Sequence, residues 1–209
     1  QVLRFNPGKL IVLDQAESAL YELELEVKEK FEGQHLETVI ADVRQPDRMR
    51  RVFEAYRPDV VFHAAAYKHV PVMENNPSEA ILTNVHGTRV TADLADEFGT
   101  EKFILISTDK AVNPTNIMGA TKRIAEIYCQ SLGRKSKTRF ITTRFGNVLD
   151  SNGSVIPRFK KQIEEGGPVT VTHPEITRFF MTIPEACQLV LEAGATGSGG
   201  EIYIFDMGK

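Results

Sequence analysis

Ser107-Thr108-Asp109-Lys110-Ala111-Val112-Asn113-Pro114-Thr115-Asn116-Ile117-Met118-Gly119-Ala120-Thr121-Lys122 is the stretch that decides the fold. Before it stands Lys102-Phe103-Ile104-Leu105-Ile106, a short apolar run of β-branched and aromatic residues. After it, Arg123-Ile124-Ala125-Glu126-Ile127-Tyr128 spaces its apolar positions as a helix does. The chain therefore leaves a buried strand, crosses a polar loop and enters a helix. In a parallel α/β sheet, the carboxyl end of such a strand is where ligands bind. An acid and a base, Asp109 and Lys110, sit there side by side with a hydroxyl, Thr108, before them.

The same rhythm extends outward in both directions. Leu10-Ile11-Val12-Leu13-Asp14 and Thr38-Val39-Ile40-Ala41-Asp42 read as strands ending in an acid. Asp59 to Ala66 reads as a strand running into small residues, and Phe140 to Thr143 as one ending at Arg144-Phe145-Gly146-Asn147. Between them, 15–31, 46–56, 77–98 and 116–132 carry helical spacing. Beyond Asn147, residues 154–165 read as a helix and 169–172 as a short extended piece. A helix over 184–195 carries a capping box at Thr182 and Glu185, and 201–205 reads as a last strand. Alternating strands and helices predict an α/β fold, a Rossmann-like doubly wound parallel sheet covered on both faces. A small mixed lobe follows at the C-terminal end. The polar residues Asp14, Asp42, Ser107 to Lys110 and Asn147 all fall at carboxyl ends of strands. Helix capping explains any one of them, but explains the set less well.

Composition narrows the function. With 209 residues there is room for one substantial core, and 42% hydrophobic with 25% charged residues is ordinary for a globular protein. A net charge of -3 offers no basic field for nucleic acid. No apolar run is long enough to span a bilayer, and no signal peptide is visible. Cys129 and Cys187 read as small hydrophobes in a reducing compartment, and the five histidines show no metal-ligand spacing. A dinucleotide fold should open with a strand and a glycine-rich turn. None is found; the run Gly194 to Gly200 lies between a helix and a strand, the reverse order. The expectation is a truncated chain that starts inside the helix after that turn and stops just after its last strand, with weak NAD binding by itself.

Four segments in order carry a resemblance. They are Ser107 to Pro114 followed by Met118-Gly119-Ala120-Thr121-Lys122, His63-Ala64-Ala65-Ala66-Tyr67-Lys68-His69-Val70-Pro71, Arg144 to Leu149, and Thr177-Arg178-Phe179-Phe180. Together they resemble the CapD-like polysaccharide-biosynthesis proteins, nucleotide-sugar 4,6-dehydratases of the extended short-chain dehydrogenase/reductase superfamily, and the match runs along essentially the whole chain. One position departs from most of that superfamily. Four residues before the motif lysine, Lys122, a tyrosine normally exchanges a proton with a hydroxyl; here it is Met118, which cannot. The branch with methionine at this place resembles the enzymes converting UDP-N-acetylglucosamine to a 4-keto-6-deoxy sugar.

The resemblance implies specific roles. Lys110 would remove the proton at sugar C5 and Asp109 would protonate the leaving C6 oxygen, with Thr108 sharing the work at C4. Free lysine titrates at about 10.4 and free aspartate at about 3.9, so both roles demand help from the surroundings. Lys122 would hold the nicotinamide ribose. Asp14 would bind the adenosine ribose, favouring NAD over NADP. Asp42 and Val43 would sit by the adenine, and Ala64, Ala65, Ala66, Lys68 and Asn84 would line the dinucleotide cleft. For the sugar nucleotide, Asn147 and Arg178 would meet the diphosphate, with Lys68, Val155 and Arg158 nearby. Residues 1–143 would form the NAD(P)-binding part and 144–209 the sugar-nucleotide part. The resemblance further implies a UDP-sugar substrate, a homo-oligomer at full length, and a cytoplasmic domain whose longer parent could carry an inner-membrane anchor. Two other readings stay open: a UDP-sugar 4-epimerase, disfavoured by Met118, and a non-catalytic nucleotide-sugar-binding module.

Overall fold

The computed structural model describes residues 1–31, 33–34, 36–149, 155–171, 173, 175 and 179–205, with nothing given of the Val155 side chain. A short 3-10 turn, Val2–Phe5, precedes β1 (Leu10–Asp14), α1 (Glu17–Lys30) and β2 (Leu36–Ile40). Then come α2 (Pro46–Tyr56), β3 (Val60–His63), α3 (Val70–Asn75) and α4 (Pro77–Ala80). A π-helical segment, Ile81–Gly87, runs directly into α5 (Thr88–Glu97). After β4 (Lys102–Thr108) and a 3-10 turn at Asp109–Ala111 stand α6 (Ile117–Gly133) and β5 (Arg139–Phe145). The chain continues through β6 (Asn147–Val148), α7 (Val155–Glu164), β7 (Phe180–Met181), α8 (Ile183–Thr196) and β8 (Ile202–Ile204).

All the strand pairs described are parallel. β1 pairs with β2, and β3, β4, β5 and β8 lie in that order in a second ladder. Parallel strands need crossovers, and the helices between them supply these. Alternation along β4 puts Phe103 and Leu105 on one face and Ile104 and Ile106 on the other. The first face joins Val39, Val52, Phe53, Leu94, Cys129 and Phe140 in a core reached by α2, α5 and α6. The second packs with Ile141, Val190 and Ala193 beneath α8. Ile11, Leu13 and Val61 pack against the first core, so both ladders share it. Phe103, Ile104 and Leu105 are fully buried, which makes β4 the centre of the molecule.

The predicted elements hold, with four differences. The helix expected over 77–98 contains the π turn, a feature that recurs at functional sites. The Thr88 and Thr91 hydroxyls donate to the Asn84 and Gly87 carbonyls there, and a Cβ on Gly87 would lie 2.6 Å from Val43 Cγ2. Helix α3 was not foreseen, because six residues with a proline in the first turn show no periodicity. Residues 169–171 form no strand; the extended piece is instead β7, paired with β6 across more than thirty residues of sequence. The part after 143 divides: α8 and β8 return to the main sheet, packing on and pairing with β5. The capping box at Thr182 and Glu185 is present, and both cysteines are free thiols. Among the described residues no helix is long and apolar enough to cross a membrane.

Helix α6 is set against the end of β4 by its own first turn. Asn116 Oδ1 accepts the Gly119 N–H at 2.8 Å, and Glu74 Oε1, from α3, accepts the Ile117 N–H at 2.7 Å. Both satisfy amides that have no partner inside the helix. At Gly119 the helix touches the backbone of the preceding turn: a Cβ there would lie 2.2 Å from the Lys110 carbonyl oxygen. In an open helix, alanine would be favoured over glycine by up to about 1 kcal/mol. Here Gly119→Ala is expected to destabilise the protein by roughly 1–3 kcal/mol, because backbone must move to admit the methyl group. Urea denaturation checks the sign; a stabilised variant would show that the approach is loose.

Candidate active site

The end of β4 and the end of β5 run side by side, with Ser107 opposite Arg144 and Thr108 opposite Phe145. Beyond Thr108 the 3-10 turn presents Asp109 and Lys110. Asp109 Oδ1 accepts from Thr108 Oγ1 at 2.8 Å and from Lys110 Nζ at 2.9 Å. Lys110 Nζ also donates to Asn147 Oδ1 at 3.1 Å. Thr108, Asp109 and Lys110, expected together from sequence, thus form one hydrogen-bonded cluster with Asn147, which was expected at the substrate diphosphate. The Lys110 side chain is 28% exposed and that of Asp109 41%, so the pair is reachable yet partly enclosed.

Lys122 lies beneath this cluster, buried on α6. Its Nζ donates to the Ile106 carbonyl at 2.6 Å. Burial pushes its pKa down to about 8, against the nearby Glu126 carboxylate and Cys129, which act to raise it. An ammonium has three donors; among the described residues one is used, leaving capacity for ribose hydroxyls, which fits a dinucleotide. His63, at the end of β3, is buried and stacked on Phe103 at 5.7 Å. Burial, and then Lys122, push its pKa down to about 3, so it is neutral. The Thr88 hydroxyl donates to the Asn84 carbonyl, so the His63 Nε2, 3.0 Å from that oxygen, is the donor.

Met118 is buried with Met73 and Ala80 and packs against Tyr67 and Val70. The position where a proton-carrying tyrosine is usual is therefore apolar core. Asn84 is fully buried, and its amide is committed inside the protein. Its oxygen accepts the Tyr67 N–H at 2.8 Å, and its nitrogen donates to the Tyr67 carbonyl and to Thr121 Oγ1. It fastens the Ala64–Tyr67 loop to α6 rather than offering a free group to a cleft. Asp14 is exposed at the end of β1, where Oδ1 accepts the Ala16 N–H at 2.8 Å. Asp42 is taken by Arg44, whose Nε lies 2.8 Å from Oδ2 and whose hydrogen bonds hold the carboxyl below its usual range. Arg44 Nη1 also reaches Glu79 at 2.9 Å. Val43 is buried against Gly87. Ala64 is exposed, Ala65 and Ala66 are half-buried, and Lys68 and Arg158 are exposed. The Val155 side chain, Thr177 and Arg178 lie outside the described residues, and no group of three metal-ligating side chains occurs among those described.

Sequence reasoning missed a buried charge cluster next to this site. Glu126, fully buried on α6, accepts from Ser107 Oγ at 2.6 Å, from Arg144 Nε at 2.8 Å and Nη2 at 2.5 Å, and from Arg123 Nη1 at 3.0 Å. Burial drives its carboxyl pKa up, but these donors outweigh it and hold the group below its ordinary value. The signal was available: Met118, Lys122, Ala125, Glu126 and Cys129 share one face of α6, so two charges fall inside an apolar stripe.

The depressed Lys122 pKa has a consequence for stability. Between pH 8 and 10.5 the unfolded chain holds this proton more firmly than the folded one, so stability rises with pH in that window. The difference in unfolding free energy between wild type and Lys122→Met is therefore expected to grow in favour of wild type from pH 8 to 10.5, as followed by denaturant titration. A flat difference would place Lys122 in water.

The family model described as "Polysaccharide biosynthesis protein" matches residues 1–209. The capsular polysaccharide biosynthesis protein CapD of Staphylococcus aureus is 56% identical over all of this chain and 35% of its own length. A UDP-N-acetylglucosamine 4,6-dehydratase (inverting) of Campylobacter jejuni is 38% identical over 96% of the chain and 59% of its own length. UDP-glucose 4-epimerases match too, that of Rickettsia canadensis at 42% over 81% of the chain and 50% of its own length. Among solved structures, Pen from Bacillus thuringiensis superposes with a TM-score of 0.91 at 38% identity, covering 97% of this chain and 62% of that one. The chain spans about a third of the length of the CapD relative. A match over every residue, together with the shared fold, establishes that the chain belongs to the CapD-like polysaccharide biosynthesis protein family of the extended short-chain dehydrogenase/reductase superfamily.

Proposed function

We propose that the chain supplies the reacting residues of a UDP-N-acetylglucosamine 4,6-dehydratase, a lyase making a 4-keto-6-deoxy sugar nucleotide for surface polysaccharide. The observation that carries this reading is the Thr108–Asp109–Lys110–Asn147 cluster standing beside a buried Met118. Dehydratase, epimerase and dehydrogenase alike must take the C4 hydroxyl proton, and with methionine in place of tyrosine Asp109 with Thr108 would serve there. An elimination needs a base at C5 and an acid at the C6 oxygen. Lys110 and Asp109 are such a pair, already in contact.

Residues 1–143 would hold the dinucleotide, NAD before NADP, and those from Arg144 onward the sugar nucleotide. Lys122 would bind the nicotinamide ribose, Asp14 the adenosine ribose, and the Ala64–Ala66 backbone would let the dinucleotide approach closely. The bound nicotinamide supplies reversible hydride acceptance, which makes C4 a ketone and the C5 proton acidic. With the help of Thr108, Asp109 would take the C4 hydroxyl proton and pass it to the departing C6 oxygen while Lys110 takes the C5 proton, so the sugar loses one water. Hydride returned to C6 and the proton returned by Lys110 to C5 would complete the methyl group. The 2.9 Å contact between Asp109 and Lys110 keeps the acid and the base on neighbouring positions of the sugar. Thr108 and Asn147 hold the two in line through hydrogen bonds to Asp109 and Lys110.

The proposal is checked on the full-length protein incubated with NAD and UDP-N-acetylglucosamine. A product with a C4 ketone and a C6 methyl is expected, and Lys110→Ala is expected to abolish it with melting temperature unchanged. Near-normal turnover in Lys110→Ala removes that residue from the mechanism. A C4 epimer as the sole product favours the epimerase reading.

A further inference from the structure

Helix α6 is fastened to β4 at two successive residues. Lys122 donates to the Ile106 carbonyl and Glu126, one turn later, accepts from the Ser107 hydroxyl. The same Glu126 carboxylate accepts both fork nitrogens of Arg144, which stands opposite Ser107 on β5. One buried carboxylate thus ties together the strand that continues into Asp109 and Lys110 and the strand that continues into Asn147. Beyond the backbone ladder, which runs to Thr108 and Phe145, the next side-chain link between those two strand ends is the Lys110–Asn147 hydrogen bond.

A buried ion pair is a poor device for stability alone. Desolvating two charges offsets most of their attraction, and apolar groups of similar volume often serve as well or better. A bidentate guanidinium–carboxylate pair does supply direction and spacing, because the fork admits one geometry. Here that geometry lies two residues before Asp109 on one strand and three before Asn147 on the other.

We propose that Glu126 and Arg144 are positioning residues: their pair sets the spacing of the β4 and β5 ends so that Lys110 is held against Asn147 and Asp109. The turnover part of this inference rests on the dehydratase reading; the geometric part does not.

The test uses the full-length protein carrying Glu126→Leu with Arg144→Met, and separately Arg144→Lys, which keeps the charge and loses the fork. Crystal structures of both variants are expected to show Lys110 Nζ and Asn147 Oδ1 separated well beyond the 3.1 Å of the native pair. Turnover is expected to fall roughly 100-fold, as for a displacement of about 1 Å at a reacting group, with KM for UDP-N-acetylglucosamine little changed. A merely structural pair would lower the melting temperature and leave kcat of the folded enzyme alone. An unchanged Lys110–Asn147 separation in either folded variant overturns the proposal. Should the double variant fail to fold, Arg144→Lys decides. If wild type makes no keto sugar, the dehydratase reading fails, and the interatomic distance still decides the positioning role.

Discussion

Everything at the candidate site depends on how closely α6 lies against the end of β4. At Gly119 the helix backbone meets the Lys110 carbonyl at a distance that leaves no room for a methyl group. That contact fixes the turn carrying Asp109 and Lys110 from below. Glu74 and Asn116 hold the helix start in place, and Lys122 reaches back under the strand to the Ile106 carbonyl. The polar stretch between β4 and α6 is therefore no free loop. Its ends are held by backbone contact and its acid and base side chains by one another.

Charge is placed with the same economy. Lys122 and Glu126 are buried one helical turn apart; donors outweigh burial at Glu126, whereas burial dominates at Lys122. Arg144 answers Glu126 with two hydrogen bonds, while Lys122 has a single carbonyl partner among the described residues. His63 sits close enough to Lys122 to feel its charge and stays neutral. The result is a floor of buried polar groups beneath a half-open pair, Asp109 and Lys110. Preorganisation of this kind is what stabilises charge as it develops in a reaction.

Much of this was legible in the sequence. Strands and helices alternate visibly, and the acid–base pair stands at the end of a strand that runs through the core. The methionine in place of tyrosine is a single letter, yet it bears on the chemistry, and its burial against Met73 and Ala80 agrees with a role in packing. What sequence did not reveal depends on contacts between distant residues. Glu126 and Arg144 lie 18 residues apart, and no local pattern announces their pairing. Asn84 was expected at the dinucleotide cleft from the resemblance; its partners are the backbone of Tyr67 and the Thr121 hydroxyl. The π turn that carries it occurs together with side-chain bonds at Thr88 and Thr91 and a tight fit at Gly87. β6 and β7 are too short for periodicity to register.

The central claim is that this stretch performs elimination across C5 and C6. The most direct measurement is the NMR spectrum of the product formed by the full-length protein from UDP-N-acetylglucosamine in deuterium oxide. Removal of the C5 proton by Lys110 predicts deuterium at C5 of a sugar bearing a C6 methyl group. A product that keeps its C5 proton and its C6 hydroxyl would contradict the account.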